Sequence, residues 1–234
     1  MNLKGKKIII TGGSLGIGKQ TAKELVDKGA HVLITGRSLE RLEKAKQYTG
    51  AQIMVFDISD LDSIKSNVKK CLDLLNGEID VIINNAGVGV FQPLDEIKKS
   101  DFTTVFNTNV FGLTLFTKEF IPLMKNKKNG TIINIGSSAS LKGFKYGSVY
   151  AASKFAVRAL TQCWQTELRP FNIRVCQINP SEVTTAFSDK DRIERKEIDN
   201  KLSPNEIAHS IVSVIEMENK GFVTELSVWA TNPF

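Results

Sequence analysis

The sequence predicts an α/β protein, a doubly wound parallel sheet of about seven strands with helices on both faces. Three observations point there. Short β-branched runs alternate with stretches of helical periodicity almost from end to end, the pattern of strands joined by crossover helices. The first run passes directly into a glycine cluster and then a helix. The length of 234 residues suits one domain of this kind, and neither a linker nor a composition shift divides it, so residues 1–234 read as a single unit.

In chain order, residues 7–11, 31–35, 52–56, 81–84, 130–135, 173–178 and 222–228 read as strands. Between the first two, Ala22, Leu25 and Val26 recur at helical spacing across 18–28 before Gly29 ends the pattern. That is a βαβ unit, with a right-handed crossover expected. A further helix is read over 150–168. Residues 181–202 are rich in charge and poor in apolar side chains, a long excursion between a strand and a helix of the kind that often forms a lid. It should stop at about Leu202, because Ser203-Pro204-Asn205-Glu206 combines an N-cap serine, a first-turn proline and a glutamate three residues on.

Composition narrows the function classes. With 41% hydrophobic and 24% charged residues the chain is neither disordered nor fibrous. No apolar run approaches the roughly 20 residues of a membrane span, and the short apolar stretch 8–10 reads as a strand rather than a signal sequence, so a cytoplasmic location is expected. Cys71, Cys163 and Cys176 form no Cys-x-x-Cys pair; they read as reduced packing thiols, and with His31 and His209 isolated no metal site is expected. The net charge of +6 is spread out, and its one dense cluster, Lys125, Lys127 and Lys128, reads as a solvated loop, so no nucleic-acid partner is expected.

The chemistry begins at Thr11-Gly12-Gly13-Ser14-Leu15-Gly16-Ile17-Gly18. Glycines between a strand and a helix allow a tight turn and close approach of a pyrophosphate to free amides at the helix start, which assigns Gly12, Ser14, Leu15, Gly16 and Ile17 to a dinucleotide. After the second strand, where NAD enzymes place a carboxylate for the adenosine ribose, this chain has Gly36 and then Arg37 and Ser38. The planar fork of Arg37, with the Ser38 hydroxyl as an added donor, suits a 2′-phosphate, which favours NADP(H) over NAD(H).

Together with Asn84-Asn85-Ala86-Gly87 and Tyr150-Ala151-Ala152-Ser153-Lys154, in order and at the family's spacing, these residues make the chain resemble the classical short-chain dehydrogenase/reductases over nearly its whole length. The resemblance implies a Rossmann-type sheet, NAD(P) chemistry and a homo-oligomer, a tetramer or dimer formed through the helices around 105–120 and 150–168 and the last strand. It implies a catalytic group of Asn109, Ser137, Tyr150 and Lys154, with Ser138 left open as a helper. It also implies that Asp57 and Ile58 flank the adenine, that Asn85, Ala86 and Gly87 line the adenosine ribose side, and that Pro180, Val183 and Thr185 meet the nicotinamide end. Lys154 would grip the nicotinamide ribose, and Asn109 would support a water relay. Where the family commonly has Pro-Gly, this chain has Pro180-Ser181, which leaves the path of the following loop open.

The residues make chemical sense by themselves. Tyr150 and Lys154 are four apart and share a helix face, so the ammonium is expected to lower the phenol pKa from its reference near 10 toward working pH. Tyr150 would then act as general acid or base, and Ser137 would donate to the carbonyl oxygen as charge develops. Val88, Val90, Phe91, Phe144, Tyr146 and Phe187 are candidate pocket walls, suggesting an apolar or acyl-bearing carbonyl substrate. The leading expectation is an NADPH-dependent reductase of ketones or aldehydes, with 3-oxoacyl thioester reduction as a branch. Two alternatives stay open: an NADP-dependent alcohol or sugar-alcohol dehydrogenase working oxidatively, and an NADP(H)-sensing regulator without turnover.

Overall fold

The computed structural model describes residues 2–187, 189 and 191–233. Ser188 and Lys190 of the expected lid lie outside the described residues. The apolar runs form strands β1 (Lys7–Thr11), β2 (His31–Gly36), β3 (Gln52–Val55), β4 (Val81–Asn84), β5 (Gly130–Ile135), β6 (Ile173–Pro180) and β7 (Glu225–Val228). They make one parallel sheet in the order β3-β2-β1-β4-β5-β6-β7. The order reverses direction at β1, where Ile9 pairs with Leu33 of β2 on one side and Ile82 of β4 on the other. A sheet wound both ways from one strand opens a crevice beyond the strands' carboxyl ends.

Helices α1 (Gly16–Asp27), α2 (Leu39–Thr49), α3 (Ile64–Leu74), α4 (Lys99–Phe106), α5 (Leu113–Lys127), α6 (Ser148–Leu168) and α7 (Pro204–Glu216) connect the strands. Successive strand residues point to opposite faces, so the alternation splits the core in two. Ile8, Ile10 and Ile34 pack with Leu25 of α1, Leu42 of α2 and Ile211 of α7. Ile9, Leu33 and Val175 pack on the other face with Val68 of α3, Phe116 and Phe120 of α5 and Leu168 of α6. Burial on both faces is why β4, β5 and β6 read as nearly continuous apolar runs. Their polar members bond across to a neighbouring strand and to helices: Asn84 Nδ2 donates to Asn134 of β5 and Thr117 of α5, and Asn134 Nδ2 to Thr161 of α6, each at 2.8 Å, while the buried Asn84 Oδ1 has no partner among the described residues.

Several expectations are corrected. Lys125 and Lys127 lie in the last turn of α5, not in a loop, where cations oppose the negative end of the helix dipole. Lys127 also pairs with the buried Asp80 at 2.6 Å. Burial alone would raise the Asp80 carboxyl, but the Lys127 hydrogen bond, the Lys7 amide and the charges of Lys127 and Lys6 outweigh it and hold it below the usual range. β7 begins at Glu225 rather than 222; Phe222 lies against the Arg169 guanidinium, and the Thr224 carbonyl accepts from both the Gln177 amide of β6 and the Gln165 side chain. Cys163 is exposed on α6, whereas Cys71 and Cys176 are buried thiols pushed up to about 12 by burial. The expected start of α7 is present: Ser203 Oγ accepts from Asn205 N at 3.2 Å, and Glu206 accepts from Ser203 N at 2.7 Å. Among the described residues no helix is long and apolar enough to cross a membrane.

The segment between β6 and α7 is fastened at its base. Ser181 N donates to Val228 O at 2.9 Å, tying the chain after Pro180 to β7. Val183 bridges to Leu202, and Thr184 N donates to Leu202 O at 2.8 Å.

Candidate active site

A cleft of about 720 Å³ lies over the carboxyl ends of β1, β2, β4 and β5, within the size range of cofactor and substrate sites. Its floor is the turn after β1. Gly12 has φ +66°, and a β-carbon there would stand 2.8 Å from the Ala86 backbone, so only glycine fits. Asn85 Nδ2 donates to Thr11 O and Gly12 O at 3.0 and 2.9 Å, while Thr11 Oγ1 accepts from the Asn85 and Ala86 amides. Asn85 and Ala86 therefore hold the glycine turn in shape. Because Leu15 precedes α1 and has no capping side chain, the helix cannot cap itself. Its Gly16 amide donates to Glu194 Oε1 at 3.0 Å, and Lys19 Nζ meets Glu194 Oε2 at 2.6 Å. An anion already sits where a pyrophosphate would bind, which fits the residues to that group.

The second side of the cleft is cationic. Arg37, Arg41 and Arg192 all line it. Arg37 Nη1 stands 3.7 Å from Asp57 Oδ2, and burial followed by the charges of Arg37 and Arg41 depresses the Arg192 pKa. Ser38 is the N-cap of α2, its Oγ accepting from Arg41 N at 3.3 Å, and it is not among the residues that line the cleft. Thr185, expected near the nicotinamide, stands beside Gly16, whose β-carbon would lie 3.2 Å from its methyl. Gly12, Ser14, Leu15, Gly16, Ile17, Asp57, Ile58, Asn85, Ala86, Gly87, Pro180, Val183 and Thr185 are brought together in the lining of the cleft.

At the far end, Ser137 follows β5 and its Oγ accepts from Ala139 N at 3.1 Å. Tyr150 and Lys154 lie one turn apart on the buried face of α6, and the Ser137 side chain is near enough to the phenol to oppose the rise in its pKa. Lys154 Nζ donates to Ile135 O at 2.8 Å and lies 5.7 Å from the centre of the Tyr150 ring. The expected fall in the phenol pKa does not occur. Burial pushes Tyr150 up to about 12, only partly offset by the nearby Ser137 side chain, and burial pushes Lys154 down to about 8. Loss of water penalises both charged forms, and the ammonium is engaged by a carbonyl and lies over the ring.

Asn109 belongs to a π-helical turn, Asn107–Gly112, inserted between α4 and α5. Gly112 permits it, since a β-carbon there would collide with the Ile58 carbonyl oxygen. The Asn109 amide is committed to protein partners: Oδ1 accepts from Val88 N at 2.9 Å, and Nδ2 donates to Val88 O and Ser153 Oγ at 2.9 and 3.0 Å. It braces the segment beside the cleft and does not itself line it. Of the expected walls, Phe91 and Phe187 flank the Tyr150 ring at 5.3 and 5.6 Å between centroids, and Phe144 lies 6.0 Å beyond Phe91. Val88 also lines the cleft, but Val90 and Tyr146 do not; Tyr146 is exposed beneath the Lys145 ammonium. Sequence reasoning missed Arg41, Arg192 and Glu194. Arg41 had a signal, four residues after Arg37 and in the first turn of α2, whereas nothing in the charge-rich loop marked the other two.

A doubly wound parallel sheet with a glycine turn, a helix N-terminus and a Ser-Tyr-Lys group around one cleft defines a nucleotide-dependent oxidoreductase fold. The chain belongs to the short-chain dehydrogenase family, whose model matches residues 6–196. It is 30% identical to the 3-ketodihydrosphingosine reductase of Bacteroides thetaiotaomicron, across 94% of this chain and 87% of that protein. It is 34% identical to the 3-oxoacyl acyl-carrier-protein reductase of Thermotoga maritima, across 80% of this chain and 79% of that one. Among solved structures it is similar to an alcohol dehydrogenase from the archaeon Thermococcus sibiricus complexed with 5-hydroxy-NADP, at 29% identity and a TM-score of 0.87 over 97% of both chains. Among the described residues no group of metal-ligating side chains occurs.

Proposed function

We propose that the protein reduces a ketone or aldehyde to an alcohol with NADPH, 3-oxoacyl thioesters being one substrate branch. The observation that carries this is the Ser137–Tyr150–Lys154 group at one end of a cleft whose other end presents Arg37, Arg41 and Arg192. Likeness to two reductases and to a structure holding an NADP derivative supports it. The residues that would hold the cofactor are those of the glycine turn, Asn85 to Gly87, Asp57, Ile58, the arginines and the 180–185 segment. When bound, it supplies a hydride to the carbonyl carbon.

The protein supplies the rest. Tyr150, with its pKa raised to about 12, keeps its proton at neutral pH and gives it to the carbonyl oxygen as that oxygen becomes basic. Ser137 donates a second hydrogen bond to the same oxygen, stabilising the charge that develops there. Lys154, still protonated below about pH 8, would hold the cofactor's ribose hydroxyls when the cofactor is bound. Asn109 acts through Val88 and Ser153, fixing the wall and α6 rather than touching substrate. Phe91, Phe144, Val88 and Phe187 favour an apolar substituent on the carbonyl.

The likeness to an alcohol dehydrogenase favours a second reading, oxidation of an alcohol or sugar alcohol with Tyr150 as base. NADPH and NADH consumption against ketones, aldehydes and 3-oxoacyl thioesters, and NADP+ reduction against alcohols, separates the two. Tight NADPH binding without turnover on any of them would favour the sensor. We further propose a single cytoplasmic domain that assembles as a dimer or tetramer through the faces bearing the exposed Phe111 and Phe155; a monomer by light scattering would contradict that assembly.

A further inference from the structure

We propose that Glu194 is a resident substitute for the cofactor's pyrophosphate: NADP(H) binds by displacing its carboxylate from the Gly16 amide and Lys19, so Glu194 sets cofactor affinity and association rate. This rests on the cofactor reading above. Three observations converge on it. The carboxylate makes the contacts a phosphate would make at this helix start, one to the Gly16 amide at 3.0 Å and one to the Lys19 ammonium at 2.6 Å. It comes from the β6–α7 segment, which crosses from its base at Val183 and Leu202 to reach α1. Helix α1 has no cap and no acidic residue of its own in its first turn, so the loop provides the negative charge that the helix start attracts.

A carboxylate and a diphosphate cannot share this position. Each needs the same amide and ammonium, and at such separations like charges repel strongly in a half-buried cleft. Burial would raise the Glu194 pKa, but the Lys19 hydrogen bond, the Gly16 amide and the Lys19 charge together lower it, so the occupant is ionised at neutral pH. Two residues earlier, Arg192 stands among the fields of Arg37 and Arg41. The same loop turn thus places an anion where the cofactor's diphosphate goes and a cation where its 2′-phosphate goes. Displacing the Glu194 carboxylate exchanges one set of charge-assisted hydrogen bonds for another, and only that side chain need leave while Arg192 stays in place.

The test is binding, read without turnover. NADPH and NADH titrations by calorimetry, with stopped-flow association rates, compare the wild type with Glu194→Gln and with the control Glu197→Gln from the same loop. Loss of the competing charge should lower the Kd for both cofactors about tenfold and raise the association rate, since charge-assisted hydrogen bonds carry that order of free energy. Glu197→Gln should match the wild type. If the wild type binds NADPH and Glu194→Gln binds it equally or more weakly, Glu194 merely orders the loop and the inference falls while the cofactor reading stands. If neither protein binds NADPH or NADH, although both melt cooperatively, the cofactor reading falls and takes the inference with it.

Discussion

Tyr150 and Lys154 project from a buried face of a 21-residue helix, and their neighbours Ser137, Ile135 and Ser153 are fixed by strand and helix packing. Arg37, at the other end of the cleft, has a side chain 54% exposed, and Arg192 arrives on a loop with a positive φ of 58°. The reacting end is therefore held by packed helix and strand residues, whereas the recognition end is more exposed and assembled partly from a loop. Burial controls protonation at the first end, pushing the phenol up and the ammonium down. At the second end charge count matters more than geometry. The two ends should consequently fail in different kinetic terms when mutated.

After the general acid itself, the largest such separation is expected from Ser137→Ala. Removing a donor aimed at the developing oxyanion should lower kcat by about 100- to 1000-fold with NADPH Kd unchanged, as single-turnover kinetics and fluorescence titration would show. Arg37→Asp should do the reverse. Loss of a charge-assisted contact and its replacement by a carboxylate should shift the NADPH to NADH preference by roughly 10- to 100-fold, read as the ratio of the two kcat/KM values. A shift in kcat alone would break the comparison.

pH sharpens it further. Lys154 has its pKa lowered to about 8, so its ammonium is present below that pH and is lost as pH rises through it. NADPH affinity should weaken across that interval in the wild type, and Lys154→Met should bind weakly with no such inflection, both followed by titration at constant ionic strength. Arg192→Gln should have the smallest effect, a severalfold loss of NADPH affinity with NADH unchanged, because its guanidinium is half-buried and already shared with the Phe187 carbonyl and ring. Equal losses for both cofactors would place Arg192 at the diphosphate instead.

Most of the sheet was legible because strands buried on both faces must be written in Ile and Val, as at Ile8, Ile9 and Ile10 or Ile132 and Ile133. The glycine turn and the Tyr150, Lys154 pair were legible because each carries a local geometric demand within a few residues. What escaped depended on distant partners. The π turn at Asn109 requires Ile58 to approach Gly112, and no local periodicity announces that. Ser38 caps α2 through its oxygen, a role that its position before a helix start offers beside that of ligand donor. The pKa direction at Tyr150 was misjudged because four-residue spacing gives proximity but not burial, and burial dominates here. Glu194 lies 178 residues from the amide it occupies, a pairing that only the folded chain displays.

The most direct test of the central claim is Tyr150→Phe, assayed beside the wild type for NADPH oxidation with a responsive ketone and for NADPH binding. The account predicts that turnover falls about 100- to 10,000-fold, the contribution of a positioned general acid, while the NADPH Kd changes less than about twofold. Turnover in Tyr150→Phe equal to that of the wild type would contradict it.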